Sequence, residues 1–221
     1  MNQINKNSKK QLILGSGIFS NLVFNELNDN FVLNNFSGFW DNYEINEKKI
    51  NHKGFKIFSD VSYLHDHIVF IGISLQNNKG PNFIRERYSF LKSCKAQVSG
   101  FCFNEKKSKK ISNLASIFRS AFLDYNCEIE KLTVIRPRSY IGHDSYIGEC
   151  CYIAPNATIG AFSHLECNIF VGYGALVLPK IKIGKNSLIS AGAIVNKDVA
   201  ENSIVKRDGQ VLTVKNPFKF I

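Results

Sequence analysis

The segment GHDSYIGECCYIAPNATIG, residues 142–160, places Ile147, Ile153 and Ile159 six residues apart. Followed outward, the spacing does not break. Ile117, Leu123, Ile129, Ile135, Ile141, Leu165, Val171, Val177, Ile183, Ile189 and Val195 fall on the same grid, making fourteen aliphatic positions in all. Two residues before most of them stands a small side chain (Thr133, Ser139, Ser145, Cys151, Ala157, Ser163, Ala175, Ser187, Ala193), with Ile169 and Ile181 the large exceptions. Residues two apart on a strand point to the same side, so each repeat sends one large and one small side chain into a common core. A repeat of this kind describes a triangular prism in which three short strands make one coil of eighteen residues, and coils stack as a parallel β-helix.

The chain has 221 residues, 44% of them apolar, which suits one large domain or two small ones with buried cores. Residues 1–10 (MNQINKNSKK) are polar and carry no apolar core region of a signal peptide, and no run of eighteen apolar residues occurs, so no membrane span is expected. Six cysteines without a secretory signal read as reduced thiols in a cytoplasmic protein. A net charge of +10 raises the question of nucleic acid, but the basic residues are scattered and no basic face is interleaved with aromatics. Anionic small molecules fit better. The densest basic run, Lys106, Lys107, Lys109 and Lys110, reads as a solvated linker that can also attract phosphates.

Ahead of the repeats the periodicity changes. Residues 11–14 form a short apolar strand that ends in Gly15-Ser16-Gly17, and helical spacing follows at Phe19, Leu22, Val23 and Leu27. A second extended piece spans residues 31–41. The run IVFIGI at 68–73 suits a strand buried on both faces, residues 83–94 read as a helix, and 98–103 as a strand leading out. Alternating strands and helices imply a parallel sheet with helices on its faces. The expected architecture is an α/β N-terminal domain, a small Rossmann-like parallel sheet, over 1–103, a linker over 104–116, a left-handed parallel β-helix over 117–205 and a C-terminal tail over 206–221. The left-handed coil is an exception to the usual crossover rule.

Two histidines lie in the repeats. His143 occupies the turn after Ile141, so its ring projects from a corner of the prism beside Asp144. His164 precedes the inward Leu165 and points outward from a flat face, above Tyr146. A corner histidine with an acidic neighbour suits general-base work, because a carboxylate fixes the tautomer and raises ring basicity; a solvated turn residue is the alternative. One coil beyond His143 stands Ala161, whose small side chain leaves its backbone N–H open as an oxyanion donor. At eighteen-residue spacing Tyr152, Phe170 and Leu188 make one apolar outward column and Tyr140, Thr158, Leu176 and Ile194 another, while Tyr146, His164 and Lys182 make a wetter one. Two apolar faces call for cover, by neighbouring copies in a cyclic assembly or by the rest of the chain. The turn GSGIFS is a degenerate phosphate-binding signature, and Asp41 and Asn42 follow Trp40 at a strand terminus. Ligands gather at the carboxyl ends of such strands, so a nucleotide-linked substrate is the expected occupant.

At this point the chain resembles the bacterial nucleotide-sugar acyltransferases of the left-handed β-helix (hexapeptide-repeat) superfamily, which includes amino-sugar N-acetyltransferases and sialic-acid-type O-acetyltransferases. The likeness is carried by LILGSGIFSNLVFNEL near the start, GFWDN at 38–42, GHDSYIGECCYIAPNATIG at 142–160 and FVGYGALVLPKIKIG at 170–184. The family's catalytic histidine is followed by an acidic residue shortly before an Ile-Gly pair, and His143-Asp144-Ser145-Tyr146-Ile147-Gly148 matches that pattern. By this resemblance His143 is the base, Asp144 its orienting carboxylate and the Ala161 amide the oxyanion donor. Coenzyme A contacts map to Tyr152, Ala161, Tyr173 and Ala191, and the nucleotide-sugar to Gly15, Ser16, Gly17, Asp41 and Asn42. The implied reaction moves an acetyl group from acetyl-CoA to the amine of a nucleotide-linked amino-sugar in a homotrimer, for bacterial surface-glycan synthesis, with no metal and no nucleic acid. A sugar hydroxyl as acceptor and a non-catalytic scaffold are the competing readings. A β-helix metalloenzyme would need three converging histidines.

Overall fold

The computed structural model describes residues 9–15, 18–30, 32–41, 54–73, 80–102 and 110–220. They divide into two compact units. One reaches Ile73 and includes Arg87–Ser99, and the other takes the residues just before Arg87 and everything from Gly100 onward.

In the first unit β1 (Lys10–Leu14), β2 (Phe36–Trp40), β3 (Ile57–Phe58), β4 (His67–Ile71) and β5 (Gln97–Ser99) form one sheet in the order β3-β2-β1-β4-β5. Every pairing in it is parallel. Its helices are α1 (Ile18–Asp29), α2 (Ser62–His65) and, from Arg87 onward, α3 (Asn82–Ser93). Continuous apolar strands are what a sheet covered on both faces requires. Leu12, Leu14, Trp40, Leu64, Val69 and Leu91 fill one side, and Phe24, Phe36, Phe39 and Phe55 pack ring against ring elsewhere, with centroids 4.8–6.2 Å apart. The chain builds the β1–β2–β3 side first and then crosses β1 to add β4 and β5. The carboxyl ends of β1 and β4 therefore flank a topological switch point.

The second unit is the left-handed parallel β-helix. Its three faces are an eight-stranded sheet that starts at Phe101–Cys102 and includes Tyr152–Ile153, a five-stranded sheet that includes Tyr146–Ile147, and another that includes Tyr140–Ile141. Strands pair with those eighteen residues away, Ile135 with Ile153 and Ile141 with Ile159 for example. The grid residues from Ile117 to Val195 form one core with the small residues that precede them. Those small residues also bond. Thr133 Oγ1 donates to Gly148 O at 2.6 Å, Ser145 Oγ to Gly160 O at 3.0 Å and Ser163 Oγ to Leu178 O at 3.2 Å. Each buried hydroxyl thereby satisfies itself on the neighbouring coil.

The boundaries differ from the sequence reading. Phe101–Cys102 already pairs with Ser116–Ile117, and Lys110–Ile111 with Glu128–Ile129, so the ladder enters the stretch read as linker. Ile111, six residues before Ile117, and Cys102 pack against the same core, so the early rungs carry inward side chains as well as backbone bonds. At the other end Ser203–Val205 adds a last parallel rung, and Val211–Thr213 folds back antiparallel on it. Among the described residues no helix is long and apolar enough to cross a membrane.

Each prism corner turns through a residue with positive φ. One corner uses Asn126, Asp144, Phe162 and Lys180, the next Leu132, Cys150, Asn168 and Asn186, and the third Arg138, Asn156, Gly174 and Gly192. Glycine is also required just after a strand where coils approach: a Cβ on Gly148 would sit 2.7 Å from the backbone carbonyl of Glu166. Gly148→Ala is expected to lower stability by about 1–3 kcal/mol through this overlap. Gly209→Ala, where φ is +84° and nothing lies within 4 Å, should cost only about 1 kcal/mol of left-handed strain. Thermal melting of the two variants checks the order, and equal losses would contradict the close-approach argument.

Candidate active site

The corner that carries His143 is built from four stacked turns. Asp144 N donates to Tyr125 O at 3.0 Å, Phe162 N to His143 O at 3.0 Å and Lys180 N to Ala161 O at 2.9 Å. These bonds hold each turn over the one before. Gly142 permits the close stack, since a Cβ there would lie 2.5 Å from Ala161 N. The φ of 57° at Asp144, a conformation that aspartate tolerates better than most residues, turns its carboxylate back toward the preceding ring. His143 Nδ1 lies 2.9 Å from Asp144 Oδ2, and the imidazole keeps 44% of its surface exposed. A carboxylate at Nδ1 places the proton of a neutral ring there and leaves Nε2 with its lone pair. Phe162, in the coil after, stands edge-on to the imidazole with centroids 4.9 Å apart and planes at 83°.

The Ala161 amide donates to no backbone carbonyl among the described residues. A backbone N–H left out of the ladder is what a donor for a developing oxyanion needs. The second carboxylate of the corner is engaged elsewhere: Asp124 Oδ2 accepts the Tyr140 hydroxyl at 3.0 Å and Asp124 Oδ1 accepts Tyr125 N at 2.7 Å. Burial, followed by this bond, raises the Tyr140 phenol above its ordinary value.

His164 has no such setting. Its ring lies flat on Tyr146, centroids 4.6 Å apart and planes at 15°, on the middle of a face. The cysteines are all free, and burial pushes the Cys127 thiol up to about 11 and Cys150 up to about 12. Thiols that resist ionisation are poor nucleophiles, so the described buried cysteines belong to the core. Among the described residues no group of three or more His, Cys, Asp or Glu is placed to hold a metal ion.

Of the residues assigned to coenzyme A, Tyr173 and Ala191 share another corner, where Gly192 N donates to Tyr173 O at 2.8 Å and both residues are exposed. Tyr152 is different. Only 5% of it is exposed, its ring stacks on Phe170 at 5.5 Å, and burial lifts its phenol to about 12. In the same outward column Leu188 is likewise buried, whereas Ile194 at 56% and Phe122 at 46% leave the Tyr140 column open.

In the first unit Gly15 and Gly72 end β1 and β4 at the switch point. Gly15 N donates to Trp40 O at 2.7 Å and Gly72 N to Leu14 O at 3.0 Å. Gly15 has φ +95°, and a Cβ on Gly72 would lie 2.7 Å from Leu14 O, so both positions exclude side chains. Asp41 follows β2, its N donating to Phe58 O at 2.9 Å. Ser16, Gly17 and Asn42 lie outside the described residues. Sequence reading passed over Gly72 as part of the glycine pair and also over Phe162 and Asn126. The last two stand eighteen residues from Asp144, a spacing that was available to find them.

Residues 126–161 match the family model described as bacterial transferase hexapeptide (six repeats). The galactoside O-acetyltransferase of Lactococcus lactis is 33% identical over 79 residues, 28% of this chain and 38% of that protein. The chain thus spans well under half the length of that curated relative. Among solved structures, the acetyltransferase domain of PglB from Neisseria gonorrhoeae in complex with acetyl coenzyme A superimposes with a TM-score of 0.79 at 12% identity, covering 93% of this chain and 99% of that one. The perosamine N-acetyltransferase of Caulobacter crescentus, in complex with CoA and GDP-perosamine, gives 0.75 at 14% identity over 92% and 96%. At such identities the likeness speaks to the fold. Residues 126–161 thus carry the repeat of the bacterial hexapeptide transferases, on a fold that the chain shares with these solved acetyltransferases.

Proposed function

We propose that the protein transfers an acetyl group from acetyl-CoA to the amine of a nucleotide-linked amino-sugar. The observation that carries this reading is the His143–Asp144 pair at 2.9 Å on an exposed corner, with the Ala161 amide in the adjoining coil. His143 Nε2 takes a proton from the amine as its nitrogen attacks the thioester carbonyl. The carbonyl oxygen gains the negative charge and accepts the Ala161 N–H. Collapse of the tetrahedral adduct breaks the carbon–sulfur bond, and the imidazolium returns the proton to the departing thiolate. Asp144, accepting from Nδ1, stabilises the imidazolium between these steps. Tyr152, Ala161, Tyr173 and Ala191 are assigned to the coenzyme. Gly15, Asp41, Ser16, Gly17 and Asn42 are assigned to the nucleotide-sugar, on the grounds that the carboxyl edge of a parallel sheet at its switch point is where nucleotides bind. The two structural neighbours, one holding acetyl coenzyme A and one CoA with GDP-perosamine, support these ligand classes. A sugar hydroxyl as acceptor is the second reading, favoured by the sequence likeness to a galactoside O-acetyltransferase.

Incubation with acetyl-CoA and a panel of nucleotide-linked amino- and hydroxy-sugars, read by free-thiol release, tests the acceptor. His143→Ala should lower transfer by roughly 100- to 10,000-fold, the range for loss of a general base. Calorimetric binding of coenzyme A should persist, and His164→Ala should stay near wild type. Equal losses in the two variants would remove His143 from its role.

The open Tyr140 column supports a homotrimer in which this face meets a neighbour. Ile194→Glu places a charge where burial without a partner costs several kcal/mol. Because Ile194 is exposed in the single chain, folding should survive while association weakens. Light scattering that shows a monomeric wild type, or an unchanged oligomer in the variant, would refute this face as the interface.

A further inference from the structure

We infer that Asn126 is a positioning residue for the base, acting through Asp144; the inference rests on the acetyl-transfer reading of this corner. Asn126 stands eighteen residues before Asp144, so the two share one corner position in adjoining coils. Their φ angles are nearly equal, 60° and 57°. Asn126 Nδ2 donates to Asp144 Oδ1, while the other oxygen of the same carboxylate, Oδ2, faces His143 Nδ1 at 2.9 Å. One carboxylate is thus gripped on both oxygens. An aspartate on a half-exposed turn has two free torsions, and the amide from the coil below removes the rotation that would swing Oδ2 off the imidazole. The other carboxylate at this corner cannot substitute, because both Asp124 oxygens already accept protons from Tyr140 and from the Tyr125 amide.

Corner amides also stack elsewhere in this solenoid without any base beside them. Asn168 Nδ2 donates to Asn186 Oδ1 at 2.8 Å, and Asn186 Nδ2 to Asn202 Oδ1 at 3.3 Å. That ladder stabilises coils. What distinguishes Asn126 is its acceptor, a carboxylate whose second oxygen holds the ring, so its removal should be felt in His143 as well as in the melting temperature.

Asn126→Gly keeps a residue that accepts positive φ and deletes only the amide. With Asp144→Asn and the double variant it completes a cycle that isolates action through Asp144. In the wild-type background Asn126→Gly should lower kcat roughly 10-fold, as expected for losing a hydrogen bond to a charged group. The KM for acetyl-CoA should stay unchanged, and the titration midpoint of the His143 ring, followed by NMR of histidine-labelled protein, should fall. In the Asp144→Asn background both effects should vanish. Asn186→Gly, the matched variant of the other ladder, should lower the melting temperature and leave kcat and the His143 midpoint alone. The inference is overturned if Asn126→Gly lowers kcat by the same factor in both backgrounds, or leaves the His143 midpoint where it was. If the coupling appears in the titration while the wild type releases no thiol from acetyl-CoA with any acceptor, the acetyl-transfer reading fails and the positioning of His143 by Asn126 through Asp144 stands.

Discussion

Everything in the larger unit depends on one register: each strand pairs with the strand eighteen residues on, its backbone N–H donating to the carbonyl seventeen residues ahead. Tyr140 N donates to Ala157 O at 2.9 Å, Tyr146 N to Ser163 O at 2.9 Å and Tyr152 N to Ile169 O at 2.8 Å, one such bond on each face. With that register fixed, the hydrophobic grid stacks isoleucine on isoleucine, and each fully buried aliphatic contributes about 1.5–3 kcal/mol. A single inserted residue would move every later side chain from the inside of the prism to the outside. The same ladder that stabilises the core therefore fixes, to within a residue, what each corner presents to solvent.

The candidate site follows from that constraint. A corner must turn sharply, and it does so through a left-handed residue; at the His143 corner that residue is Asp144. The backbone requirement and the chemical requirement coincide, since aspartate accepts the conformation and supplies the carboxylate. Stacking then delivers the neighbours: Ala161 and Phe162 from the coil after, and Asn126 from the coil before. No loop has to be ordered to assemble them. The rigidity of a repeat structure takes the place of the supporting shell that a less regular fold must build around a base.

The N-terminal sheet obeys a different logic. Its strands are apolar along their whole length because both faces are covered. Its carboxyl edge is shaped by the absence of side chains: Gly15 and Gly72 keep the ends of two central strands clear. The two units thus make room in opposite ways, one by projecting a side chain from a corner and the other by withholding one.

The sequence by itself determined the prism, because a six-residue period needs no knowledge of distant contacts. It also marked His143, Asp144 and Ala161 as corner residues, and the strand–turn–helix at residues 11–27. It did not show that the ladder begins at Phe101, since Phe101–Cys102 lies off the six-residue grid and only its pairing with Ser116–Ile117 reveals the rung. Nor could it tell one apolar column from the other. Tyr152, Phe170 and Leu188 read like Tyr140, Leu176 and Ile194 as letters, yet Tyr152 and Leu188 are buried and Ile194 is exposed, a difference that only the packed structure shows. The grip of Asn126 on the carboxylate that holds His143 likewise required the coils to be stacked. Periodicity states which residues share a corner, but whether two side chains meet there depends on rotamers that only the packed structure selects.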